Sequence, residues 1–174
     1  MSSTLARIKT ALRSLTRATT KRGGAPARRH PSEASPAAYA PYLGDATTLP
    51  DMTYAPNPDG APDPGEIVWA WVPYEEDHAR GKDRPVLVIG REGNLLIGLQ
   101  LTSQDHDRDE DQERRAGREW IDIGTGAWDH RGRSSEVRVN RLLRLDPAYV
   151  RREGAVLSLN RYKDVIAAVR THYS

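Results

Sequence analysis

The sequence predicts a mainly β domain with helical additions, and three observations carry that reading. Residues 65–145 hold short β-branched and aromatic runs set off by turn residues, the pattern of an antiparallel meander. A sustained helical period occurs near the end of the chain, at Tyr162, Val165, Ile166 and Val169. Nine of the twelve prolines fall between Pro26 and Pro64, where no regular period survives. The 174 residues, 37% hydrophobic and 29% charged, therefore divide into three parts. Residues 1–20 read as a basic amphipathic arm, 21–64 as a Pro-rich disordered linker, and 65–174 as one compact domain.

The elements follow in order. Leu5, Ile8, Leu12 and Leu15 form a helical stripe, and residues 1–30 carry eight Lys/Arg and no acid. So short a helix is marginal alone, which leaves two readings for 1–30: a disordered arm, or a weak contact with a membrane surface or nucleic acid. Residues 66–72, EIVWAWV, form the first strand, stopped by Pro73. The polar stretch 74–83 is a loop, 84–89 (RPVLVI) the second strand, 90–93 a turn and 94–102 the third strand. A charged excursion over 103–117 precedes a strand at 119–123. Residues 135–145 read as one strand with Val137 and Val139 on one side and Arg138 and Asn140 on the other. Asp146-Pro147 opens a short helix, and Asn160 caps the last one, whose apolar stripe is core or a dimer contact. Trp69, Trp71, Trp120 and Trp128 are read as completing the core, the alternative being stacking on bases.

Several chemistries are excluded. With no cysteine there is no disulfide, thiolate nucleophile or Cys-ligated zinc. The acidic string 105–111 places Glu110 and Ala116 where a calcium loop needs Gly and Glu. No zinc-protease motif, nucleophile elbow or phosphate-binding Gly-rich loop occurs, and the five histidines lie in polar loops or chain ends. Neither a metal nor a cofactor is expected. No apolar run approaches the roughly 18–20 residues of a membrane span, and no secretory signal is evident, so a soluble cytoplasmic protein is the expectation. The formal charge of +2 hides an acidic stretch at 104–119 and a surplus of six bases over 131–170, where a polyanion would dock.

Polar residues gather at the predicted strand boundaries: Arg84 entering the second strand, Thr102-Ser103-Gln104 leaving the third, and Arg138 with Asn140 on a later one. Guanidinium and hydroxyl groups suit a phosphodiester, the first neutralising charge that develops on phosphorus, the second donating to a non-bridging oxygen.

The run Gly65-Glu-Ile-Val-Trp69, a polar loop with Gly81-Lys82-Asp83, then Arg84-Pro-Val-Leu-Val-Ile89 and Leu101-Thr-Ser103, resembles the MazF/PemK family of toxins. The resemblance spans about 65–172. It implies an SH3-like small β-barrel with a C-terminal helix, usually a homodimer, that cleaves single-stranded RNA without metal and is neutralised by a cognate antitoxin. In such cleavage the ribose 2′-OH attacks phosphorus to leave 2′,3′-cyclic phosphate and 5′-OH ends. By position, the resemblance assigns Arg84 to proton transfer and transition-state charge, Thr102 to the scissile phosphate, and Arg138 to catalysis. It also implies RNA contacts by His78, Lys82, Ser103, Gln104 and Asn140. One departure stands out: Asn140 occupies the place where one branch of the family has an Asp, and a neutral amide cannot relay a proton. Chemistry through Arg84, an acid supplied by another group such as His78, or reduced activity all remain open. So do a non-catalytic nucleic-acid-binding barrel and a membrane- or partner-tethered regulator. The acidic 75–77 would repel phosphate from its loop.

Overall fold

The computed structural model describes residues 41–103 and 117–174. The expected arm at 1–20, the expected linker over 21–40 and Gln104 lie outside these. The chain order is β1 (Asp45–Ala46), β2 (Glu66–Pro73), β3 (Gly81–Glu92), β4 (Leu95–Thr102), β5 (Trp120–Gly124), β6 (Ser135–Arg138), β7 (Leu142–Leu145), a 3-10 turn (Pro147–Tyr149), β8 (Arg151–Val156) and α1 (Leu159–His172). All pairings are antiparallel, in the order β1-β7-β4-β3-β2-β8, with β6 joining both β4 and β5. The sheet is not closed, and the architecture is barrel-like with a C-terminal helix, as expected. Among the described residues no helix is long and apolar enough to cross a membrane.

Period-2 alternation gives the sheet two apolar faces. Ile67, Leu87, Ile89, Ile97, Leu99 and Leu101 face one core, which α1 covers with Tyr162, Val165, Ile166 and Val169. Their intervening neighbours Val68, Ala70, Val72, Val86, Val88 and Leu96 form a second cluster on the other side. Each such aliphatic burial stabilises the fold by about 1.5–3 kcal/mol. Tyr162 is fully inside, and its hydroxyl donates to the carbonyl of Met52 or of Ile89 at 3.2 and 3.3 Å.

Several expectations move. Part of the expected linker, 41–64, is ordered against the domain. Asp45 and Ala46 pair with Leu143 and Leu142, Met52 is buried in the helix-side core, and Tyr54 donates from its hydroxyl to the carbonyl of Leu157 at 2.8 Å. Proline excludes ladder pairing but not extended packing, and two paired residues are enough to tie the segment down. Gly65 (φ +105°) and Gly90 let it approach, because a Cβ at either would strike Tyr54 or Pro50 and Asp51.

β3 begins at Gly81 rather than Arg84, because β2 runs on to Pro73 and the hairpin stays in register through Val72 with Lys82. The intervening loop shrinks to 74–80, closed by Tyr74 N–H donating to the Arg80 carbonyl at 2.8 Å. Residues 135–145 are two strands in different pairings, with the chain bending between them. β8 carries Arg, Arg and Glu, a composition that hid it. It is an edge strand, paired with β2 through a bulge between Ile67 and Val68. The N-cap position of α1 is Ser158, two residues before Asn160, and its side chain makes no capping hydrogen bond.

Candidate active site

The site lies where β3 and β4 part company, β3 running on against β2 and β4 against β6. Val86 is opposite Gln100, and two residues further out Arg84 and Thr102 reach the same sheet end. Alternation places Thr102 and Gln100 on the face of the second apolar cluster. There Val72 of β2 marks the end of the hydrophobic surface and the start of a polar cavity of about 250 Å³. Thr102 is only 6% exposed. A second cavity of about 440 Å³ adjoins the first, and Arg84 and Thr102 line both.

Four guanidiniums, Arg84, Arg118, Arg138 and Arg141, line the smaller cavity with two carboxylates, Glu75 and Glu76. Arg138 is buried. It donates from Nη1 and Nη2 to the two oxygens of Glu75 at 2.8 and 2.9 Å, and from Nε to Oδ1 of Asn140 at 2.9 Å. The hydrogen bonds from Arg138 hold the Glu75 carboxyl below the usual carboxylate range, so it is ionised at neutral pH. Arg118 lies 3.8 Å from the same carboxylate. Arg141 donates from Nε to Asp45 at 3.0 Å and from Nη1 to the Pro73 carbonyl at 2.8 Å.

Arg84 differs from its neighbours. Among the described residues Arg138, Arg141, Arg144, Arg151 and Arg152 each pair with a carboxylate, whereas the half-buried Arg84 has no acidic partner. Burial lowers its pKa from the ordinary guanidinium value. A desolvated charge without a counter-charge, open to a cavity, favours an anion there.

The larger cavity has another character. Trp69, Pro85, Leu101 and Trp128 give it flat apolar walls, and Lys82, Ser103 and Arg133 supply polar groups. The acids here are engaged: Asp83 accepts from Arg151 at 2.5 Å and Asp129 from Arg133 at 2.8 Å. Trp128 is core, its Nε1 donating to Ser135 Oγ at 3.0 Å, while the buried Nε1 of half-buried Trp69 meets no acceptor. Such a basin has the chemistry to accept a planar base.

Of the residues singled out from sequence, Arg84, Thr102 and Arg138 share the smaller cavity, and Lys82 and Ser103 share the larger with Arg84 and Thr102. Asn140 lines neither. Its Oδ1 accepts from Arg138 Nε and, at 3.3 Å, from Glu119 N–H, and its Nδ2 donates to the Gly117 carbonyl, so it braces Arg138 from behind. His78 also lines neither, its ring packing edge-on to Tyr42 at 5.0 Å. Glu75 does not repel phosphate as an isolated charge, because Arg138 neutralises it. Sequence reasoning missed Glu75, Arg118 and Arg141 as cavity residues. Glu75 sits two residues after the strand-ending Pro73, a signal that could have placed it at the same sheet end. Arg141 was hidden by reading 135–145 as one strand. Among the described residues no group of three His, Asp or Glu could hold a metal ion.

Residues 63–173 match the family described as PemK-like, MazF-like toxin of type II toxin–antitoxin system. The chain belongs to this family. Solved structures similar to it include MazF (Form-I) from Deinococcus radiodurans, at 20% identity and TM-score 0.47, and MazE–MazF (Form-II) from the same organism, at 20% and 0.45. Each alignment covers 65% of this chain and 96% of the other. No curated protein is matched by sequence.

Proposed function

We propose that this chain is a metal-independent endoribonuclease toxin that cleaves single-stranded RNA by attack of a ribose 2′-OH on the adjacent phosphorus. The observation that carries the reading is Arg84, half-buried and without an acidic partner among the described residues, beside buried Thr102 on the wall shared by two cavities. The scissile phosphate sits at that wall, its non-bridging oxygens accepting from Thr102 and the guanidiniums. Charge building on the phosphorane is then met by groups already in place. The ionised Glu75 takes the proton of the 2′-OH, supplying the carboxylate that Asn140 does not. The new bond is 2′-O to phosphorus, the bond broken is phosphorus to 5′-O, Arg84 donates a proton to the leaving oxygen, and the proton held by Glu75 returns to Arg84 through water, so both groups end as they began. The products are a 2′,3′-cyclic phosphate and a 5′-OH. The toxin works in the cytoplasm as a homodimer, and an antitoxin silences it by covering the basic cavity.

The test is incubation of the full chain with single-stranded RNA and a chelator, with mapping of the ends. Cleavage that survives chelation, leaves cyclic-phosphate ends and is lost in Arg84→Ala and Thr102→Ala is the expected result. Binding of RNA without cleavage would assign the chain instead to a non-catalytic barrel.

A further inference from the structure

Arg141 is only 3% exposed, and two of its three donor nitrogens are committed. Nε donates to Asp45 Oδ2 at 3.0 Å, and Nη1 donates to the Pro73 carbonyl at 2.8 Å. The third, Nη2, is buried and has no acceptor among the described residues, and the residue lines the same cavity as Arg84 and Thr102. A guanidinium fixed on two sides, with its remaining N–H groups unmet beside a cavity lined by three further guanidiniums, is built for an anionic oxygen. Asp45 is fixed in turn. The Tyr42 hydroxyl donates to it, and its strand is held by pairing with Leu143. Asp45 also lies outside the family-matched residues 63–173.

We infer that Arg141 is a further phosphate-holding residue of this site, and that Asp45, from the segment preceding the family domain, is the positioning residue that aims it. The inference rests on the reading of the cavity as an RNA site and names an additional contact there. The ligand class is a phosphodiester oxygen of a single strand, with Arg141 gripping the phosphate from the smaller cavity, which it lines, and not from the base-accepting one.

The test uses the full chain and a 2′-O-methyl oligoribonucleotide, which binds but has no 2′-OH to attack, with Kd followed as a function of salt. Arg141→Gln is expected to raise Kd about tenfold or more and to reduce the slope of log Kd against log salt by about 0.7, the loss of one phosphate contact. Asp45→Asn keeps Arg141 and its charge, so the slope should hold while Kd rises about threefold; a merely structural role for Arg141 would not separate these two readouts. Unchanged Kd and slope in folded Arg141→Gln would overturn the inference. Should that variant not fold, the wild-type chain still decides: the Arg141 Nε–Hε NMR signal should move on adding the oligonucleotide. A shift with inorganic phosphate alone would make the site one for free phosphate, which overturns the strand contact, as would no shift with either. RNA cleavage is scored separately. A wild type that binds through Arg141 without cutting defeats the enzymatic reading and leaves this one standing.

Discussion

The two cavities that meet at Arg84 and Thr102 are both polar in part and differ in what else lines them. The smaller is walled by charge held in buried or half-buried pairs, above all Arg138 with Glu75 and Arg141 with Asp45. The larger sets the rings of Trp69 and Trp128 and the surface of Pro85 and Leu101 among its polar groups, and its lining acids Asp83 and Asp129 pair with guanidiniums whose side chains are each 51% exposed. The difference teaches a division of labour. Fixed guanidiniums cost no reorganisation when charge develops on phosphorus, so the first cavity suits chemistry. Flat apolar walls take any base by its face, so the second suits grip.

The sharpest way to break this comparison is at the shared wall. Arg84→Ala removes a cavity guanidinium that has no acidic partner among the described residues, and the expected loss is about a thousandfold in kcat for RNA cleavage, measured on a defined oligonucleotide. Stability should fall little or even rise, because the variant no longer buries an uncompensated charge. A variant that cut RNA at the wild-type rate would dissolve the assignment of chemistry to the smaller cavity.

Glu75→Gln tests that cavity alone. If the carboxylate takes the 2′-OH proton, kcat should fall about a hundredfold while KM holds or improves, since an anion beside the phosphate has been removed. Faster cleavage would mean that Glu75 obstructs the site. The pH profile carries the same sign. The pKa of Glu75 is depressed below its ordinary 4.5 by Arg138, so whatever stability the pair contributes is present above that value. It is lost as pH falls through the lower folded value. The acid limb of kcat/KM should likewise lie below 4.5 in the wild type and vanish in the variant.

Much of the fold was legible because alternation is a local signal. Residues 66–72 and 84–102 carry their burial pattern in the order of their side chains, and the helical stripe from Tyr162 to Val169 does the same. What stayed hidden depends on distant partners. β8 is polar and forms because β2 offers it an edge, and the Pro-rich 41–64 is ordered by Tyr54, Met52 and Gly65 rather than by any period of its own. The site divided along the same line. Thr102 stands at a strand end that sequence locates, and Arg84 opens the apolar run that sequence reads as a strand. Glu75 and Arg141 enter the cavity only because the 74–80 loop folds over the sheet end and the chain bends between β6 and β7.

Trp69→Leu addresses the larger cavity. It keeps apolar volume but removes the ring and its unmet Nε1–H, so affinity for a non-cleavable oligonucleotide should weaken by about 1–2 kcal/mol, roughly tenfold, with no change in salt slope. A reduced salt slope would mean that the larger cavity also grips phosphate, and the two basins would then be one.

The smallest effect is expected at the rim. Arg151 pairs with Asp83 at 2.5 Å, but its side chain is half exposed, so water screens the pair and supplies alternative partners when the guanidinium is removed. Arg151→Ala should therefore cost less than about 1 kcal/mol in thermal or denaturant unfolding and leave kcat unchanged. The nearly buried Asp83, 9% exposed at its side chain, sets the limit on that expectation: losing its cation leaves a carboxylate facing the base-accepting walls. If the variant instead lost RNA affinity by tenfold, the rim pair would be holding the larger cavity in shape, and grip would depend on fixed charge as much as chemistry does.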